Sequence, residues 1–310
     1  MSSSKSDSVG QWLSRPRLVA GVMLVLWACG VGLRIQGERA YAFLEVEDRT
    51  LYVRSGAVLG RMALSFDPML ADAYWIRALQ HYGGTKRAGD PTKNFDLLYP
   101  YLDITTTLDP RFDIAYRFGA IFLTEAYPNG PGRPDQALAL LQKGWQQMPE
   151  RWEYLMDMGF VYYWWLRDYD EAARWFQRAS EVPGASWWLQ PLAASTLTQG
   201  GNRRDARFIW GQMLESAADP WLRNEATRRL FQLDALDELD RYAAEAEQFE
   251  TREGRWPASW RELTDRPSVV PPLDPLGFAY VLEPSRREIT LSPQSPLLPL
   301  PAAPLPMLPQ

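Results

Sequence analysis

A single cysteine, Cys29, and a single histidine, His81, bound the chemistry open to this chain of 310 residues. A zinc site, a disulfide framework and a Cys/His nucleophile pair each need more ligands or partners than these two residues supply. His81 falls in a helical pattern and reads as a packed residue. The 38 Asp and Glu are plentiful, yet no pair of them is singled out by spacing from the solvated face of a helix. A net charge of -5 and a pI near 5.2 argue against a nucleic-acid partner, which needs a basic face to neutralise phosphates. What remains is recognition by aromatic side chains. The chain holds 14 Trp, 14 Tyr and 12 Phe, and seven of the Trp (Trp145, Trp152, Trp164, Trp165, Trp175, Trp187 and Trp188) fall within 44 residues. Aromatics at helical spacing pack between helices, but Trp164 and Trp165, or Trp187 and Trp188, cannot both face one core. One of each pair is therefore a candidate exposed anchor.

The elements that must position these side chains are helices. In residues 168–183, Ala172 and Ala179 flank Phe176 at spacings of four and three, a small-large-small face on which a neighbouring helix can dock. Comparable runs are Leu98, Leu102, Thr105 and Pro110; Ala137, Leu141, Gly144 and Pro149; and Ala206, Trp210, Met213 and Pro220. Each is an amphipathic helix that stops near a proline. The helices before them offer Ala78 and His81, Gly119 and Phe122, Phe160 and Tyr163, and Ala194 and Leu197 where two helices must approach closely.

From about residue 72 to residue 220 this pattern resembles the tetratricopeptide repeat family. The resemblance implies an all-α fold, a right-handed helical solenoid of about four units over residues 68–220, with a concave face that holds an extended peptide or a partner helix. It further implies that Asp113, Tyr116 and Leu123 face the groove from the second unit, Tyr154, Asp157, Val161 and Trp164 from the third, and Trp188 and Ser195 from the fourth. Aromatic anchors would supply contact area and aspartates orientation. The alternative is that the aromatics of the third unit only pack on the fourth. Two departures from the family pattern, insertions at residues 83–94 and 125–134, are expected to project from the same edge.

Residues 1–17 form a polar tail with Lys5, Arg15 and Arg17, and residues 18–33 carry no charge. Arg17 and Arg34 can snorkel and Ile35 adds apolar length, so residues 18–35 are expected as a single transmembrane anchor. Because Leu26-Trp27-Ala28-Cys29 also ends an apolar run in the manner of a lipobox, lipidation at Cys29 is an alternative, and a cleaved signal or buried helix a third. Bulky Trp27 and the apolar residues after Cys29 weigh against the lipobox. Lys and Arg are nearly balanced across the segment, so charge does not orient it. A short tail, one apolar segment and a long domain match a signal anchor, which places the repeats outside the cytoplasm at the inner membrane.

Residues 36–67 read as a connector, with an extended segment at 50–53, a turn at 54–56 and a short helix at 57–64. A helix then opens at Asp67-Pro68 and is expected to close at Gly83. Beyond the array, residues 221–253 are expected as two capping helices, the second over residues 237–252. Within residues 254–291, Asp274-Pro275-Leu276-Gly277 is a type I turn signal leading into an extended stretch at 278–282, with 289–291 returning as a hairpin. Helix, Gly-x-x-Pro, then Pro-x-Asp-Pro-x-Gly-x-x-Tyr over residues 239–291 resembles the globular part of major pseudopilins of type II secretion systems and type IV pilin relatives. The family's processing site and assembly helix do not directly precede it, and a convergent turn is the alternative. The uncharged, Pro- and Leu-rich residues 292–310 are expected to be extended and disordered, or a ligand for another domain.

Two functions fit. One is a non-catalytic, membrane-anchored scaffold in the cell envelope that binds a protein partner of a pilus, secretion or transport complex. The other is an anchored regulator or co-chaperone-like accessory facing the cytoplasm and binding peptide segments. Neither requires a catalytic residue, a cofactor, a metal or a small-molecule substrate.

Overall fold

A computed structural model describes residues 16–42, 55–89, 92–264 and 271–301. The chain divides into two compact units, residues 1–54 and 55–310. In the first, one helix, α1 (Pro16–Ala42), contains the whole apolar segment 18–35. Its described side chains, residues 20–36, are exposed around the full circumference, including Trp27 and the free thiol of Cys29. Among the described residues no helix is long and apolar enough to cross a membrane, which leaves the anchor expected at residues 18–35 without support from the structure. The extended stretch expected at 50–53 lies outside the described residues.

The second unit is built from helices packed chiefly on their neighbours in sequence: α2 (Gly56–Met62), α3 (Asp67–Arg87), α4 (Leu98–Leu108), α5 (Asp113–Thr124), α6 (Pro134–Gln147), α7 (Trp152–Phe160), α8 (Tyr169–Glu181), α9 (Leu189–Gln199), α10 (Arg203–Ser216) and α11 (Pro220–Glu253). Local start signals act as the sequence dictates. Pro lies in the first turn of α3, α6 and α11, and Asp168 caps α8 by accepting from the Glu171 backbone N–H at 3.0 Å. The small and large positions of all four runs are buried: Leu98, Leu102 and Thr105; Ala137, Leu141 and Gly144; Ala172, Phe176 and Ala179; Ala206, Trp210 and Met213.

The tightest approach in this packing is between α7 and α8. A Cβ built on Gly159 would stand 2.5 Å from Cε1 of Phe176, so only glycine lets the ring seat against the α7 backbone. The close-packing residue is thus Gly159, not its neighbour Phe160, which instead meets the Phe176 ring edge-on at 5.1 Å. Thirteen residues separate Gly159 from Ala172, whereas twelve separate Ala194 from Ala206 in the next pair of helices. The additional residue is taken up in a π-helical turn, Val161–Leu166, that ends with Arg167 in the left-handed region at φ 52°.

Three expectations are corrected. First, α3 does not stop at Gly83 but runs through Gly84 to Arg87, because both glycines stay helical and Lys86 is held by Glu125 at 2.5 Å. The two insertions thereby meet, since the Lys93 N–H also donates to the Tyr127 hydroxyl at 3.3 Å. Second, residues 220–253 form one helix of 34 residues rather than two. No Gly or Pro interrupts the stretch after Pro220, and Gly254 at φ +70° closes it. Third, the tail is not free up to residue 301, as Leu297 is fully buried.

The far half of α11 carries a second core. Ala235 and Tyr242 pack with Trp260 of α12 (Trp260–Thr264), Tyr280, Leu291 and Leu297. A two-stranded antiparallel sheet, β1 (Val281–Glu283) and β2 (Glu288–Thr290), pairs Val281 with Thr290 and Glu283 with Glu288, as the hairpin pattern predicts. Asp274 is the hub of the turn before it. Its Oδ1 accepts from the Leu276 and Phe278 N–H groups at 2.9 Å, its carbonyl accepts from Gly277 at 2.9 Å, and the Ser295 hydroxyl donates to its Oδ2 at 2.5 Å.

The α7–α8 contact sets an expected outcome. Gly159→Ala and Ala172→Leu should each lower stability by about 1–3 kcal/mol through overpacking. Gly211→Ala on α10, where a Cβ meets nothing within 4 Å, should raise it by about 0.5–1 kcal/mol. Thermal denaturation of the three variants checks both signs.

Candidate protein-docking surface

The N-terminal ends of α7, α9 and α11 bring four tryptophans to one edge. Trp152 meets Trp188 edge-on with ring centroids 6.1 Å apart, and Trp187 meets Trp221 at 5.8 Å. Trp188 is the N-cap of α9 and Trp221 begins α11, where the Asp219 carboxylate accepts its backbone N–H at 2.9 Å. Trp187 lies in the turn just before α9, so three of the four rings sit at helix starts and the fourth directly beside one. Trp187 and Trp221 remain 64% and 59% exposed. An exposed aromatic cluster held rigidly in this way offers large apolar area at little ordering cost, the property of an interface anchor.

The predicted anchors Trp164 and Trp188 are both exposed, but they do not share a surface. Trp164 projects from the π-helical turn at the C-terminal end of α7, with its ring 4.8 Å from Tyr163. Tyr163 in turn packs on Tyr169 at 5.3 Å and donates to Gln199 Oε1 at 2.5 Å, which ties this end of α7 to the C-terminal end of α9. Trp164 follows Trp152 by twelve positions of helix, a separation of about 18 Å at 1.5 Å per residue.

The remaining groove positions need correction. Tyr116 and Tyr154 have no exposed surface; their rings meet edge-on at 5.6 Å over Gly144, where a Cβ would stand 3.0 Å from Tyr116. Tyr116 donates to the Thr106 carbonyl at 3.2 Å, and burial pushes its phenol up to about 12. Burial also raises the Tyr154 phenol, with Asp113 adding to the shift. Leu123 and Val161 are buried as well, and Ser195 is half-buried.

Asp113 and Asp157 are already engaged by the chain itself. Arg117 Nε donates to Asp157 Oδ2 at 2.5 Å and its Nη2 to Oδ1 at 3.2 Å, while Arg151 Nη2 donates to Asp113 Oδ2 at 3.1 Å. These crossed pairs latch α5 to α7. Burial holds the Asp157 carboxyl above its ordinary value, although the Arg117 hydrogen bonds pull the other way. The paired charges stand 40 and 38 residues apart in sequence, on α5 and at the start and interior of α7.

Sequence reasoning also missed an apolar stripe on α5. Ile114, Phe118 and Ile121 are each more than half exposed, at helical spacing on the side away from buried Ala115, Tyr116, Gly119 and Leu123. Among the described residues no group of three His, Cys, Asp or Glu is placed to hold a metal ion. The open concavity lined by Asn202, Arg203, Arg204, Arg207, Asp237 and Asp240 lies at a tie between helices: Arg203 and Arg207 of α10 pair with Asp237 of α11 at 2.8 and 2.5 Å. Comparisons with protein-family models, curated proteins and solved structures yield no match.

The Asp157 latch has a definite pH signature. A carboxyl held above its ordinary value binds its proton more tightly in the folded chain, so its contribution to stability declines as pH rises through the carboxylate range above 3.8. Asp157→Asn should lack this decline, and its stability relative to the parent should improve as pH rises from the ordinary carboxylate value of 3.8. Denaturant unfolding of both proteins across that range measures the difference. A constant difference would show that Asp157 does not titrate as the burial argument requires.

Proposed function

We propose that this chain is a non-catalytic, membrane-anchored scaffold whose tetratricopeptide-type array captures a protein partner through its tryptophan edge. The observation that carries this reading is the cluster at the starts of the alternate helices α7, α9 and α11, in which exposed Trp187, Trp188 and Trp221 stand beside half-buried Trp152. Helices that pack chiefly on sequence neighbours, with small and large residues buried in matching positions, support a right-handed solenoid of about four units. Such arrays act by presenting a surface rather than by bond-making chemistry.

The anchor in this reading is α1, whose apolar circumference is solvated in the isolated helix and would be satisfied by lipid. An exported orientation at the inner membrane, together with the likeness of the 239–291 segment to pseudopilins, points to a partner in a pilus, secretion or transport complex. Attachment through a lipid on Cys29 and an orientation toward the cytoplasm are the alternatives.

The test uses the full chain in its membrane. A photo-crosslinking residue at position 188 should capture a discrete partner, and Trp187→Ala with Trp221→Ala should weaken that capture about tenfold or more while leaving the melting temperature unchanged. Undiminished capture would remove the tryptophan edge from the interface. A reporter fused to the C-terminus should be active only outside the cytoplasm, and cytoplasmic activity would favour the regulator reading instead.

A further inference from the structure

Residues 292–301 lie along α11 without forming a helix or strand of their own. Two α11 side chains one turn apart reach the main-chain carbonyls of four consecutive residues. Arg228 donates from Nε to Pro296 O at 3.4 Å and from Nη2 to Leu298 O at 3.2 Å. Gln232 Nε2 donates to Leu297 O at 2.6 Å and to Pro299 O at 3.0 Å. Gln232 is fully buried, and Leu297 fills a pocket in the cluster with Ala235, Tyr280 and Leu291, whereas Pro296, Leu298 and Pro299 point outward.

All four polar contacts are to backbone, so the face is indifferent to most side chains of its ligand. It requires one leucine for the pocket and a chain whose carbonyls are not already committed to a ladder, which proline ensures by lacking an N–H. The sequence meets this requirement twice. Residues 296–301 read Pro-Leu-Leu-Pro-Leu-Pro and residues 304–309 read Pro-Leu-Pro-Met-Leu-Pro, both of the form Pro-Leu-x-x-Leu-Pro. The second core draws on Leu297 and Leu300 of the first copy.

We propose that the α11 face around Arg228 and Gln232 is a binding site for Pro-Leu-x-x-Leu-Pro segments, occupied in the structure by residues 296–301, and that residues 304–309 are a second ligand for the same site. Leu305 takes the pocket of Leu297, and the carbonyls of residues 304–307 replace those of residues 296–299 on the two donors. The tail is then a pair of interchangeable plugs.

A fluorescein-labelled peptide with the sequence of residues 304–309, titrated into the full chain and followed by fluorescence anisotropy, tests this. Saturable binding is expected, and Leu297→Ser in the protein should tighten it about fivefold by loosening the resident segment. In that background Arg228→Ala and Gln232→Leu should each weaken binding about fivefold, the size of one net hydrogen bond. A peptide carrying Ser in place of the leucine at position 305 should not compete. Absence of saturable binding to the Leu297→Ser chain overturns the proposal, as does an affinity unchanged by Arg228→Ala. If Gln232→Leu lowers the melting temperature, the half-exposed Arg228 supplies the deciding variant.

Discussion

The contact between the Phe176 ring and the bare backbone of Gly159 sets how closely α7 and α8 pack. A helix hairpin has no hydrophobic interior of its own, so each pair must present a socket to the next. Between α7 and α8 the socket has no room for even a methyl group, and the ring that fills it is fully buried. Ala172 and Ala179 lie on either side of the ring in sequence, also without exposed surface, and α8 packs on α9 as well as on α7. The same logic recurs at Gly144, where absent side-chain volume admits Tyr116 and Tyr154 together.

Around this apolar interlock the charges are spent internally. Lys143 on α6 is surrounded by oxygens of α4, donating to the Asp103 carboxylate at 2.7 Å and to the hydroxyls of Thr106 and Thr107 at 2.9 and 2.7 Å. The Arg117, Arg151, Arg203 and Arg207 pairs do the same between other helices. Because these side chains are half-buried, each pair fixes the relative placement of two helices more than it adds stability.

What could be read from the sequence follows from how local each signal is. Phe176 with its flanking alanines and the Asp274 turn are written within a few residues, and each is found where expected. Tyr116 and Tyr154 were assigned by carrying a family register across neighbouring units, and their burial depends on a glycine on α6 that no local pattern connects to them. The docked tail was invisible for the same reason, since Gln232 and the carbonyl it binds are 65 residues apart. The division of residues 221–253 into two helices failed on a simpler point, the lack of any breaker.

The π-helical turn at Val161–Leu166 has a consequence for how such an array can change. In an α-helix each added residue turns everything after it by about 100°, which would swing the face of α8 away from its socket. Here the excess residue is confined to one widened turn, so the angular phase of the downstream helices is preserved and Trp164 is pushed outward at the point of widening. The turn acts as a slip joint: length has entered the helical scaffold without rotational error, and the surplus has become surface.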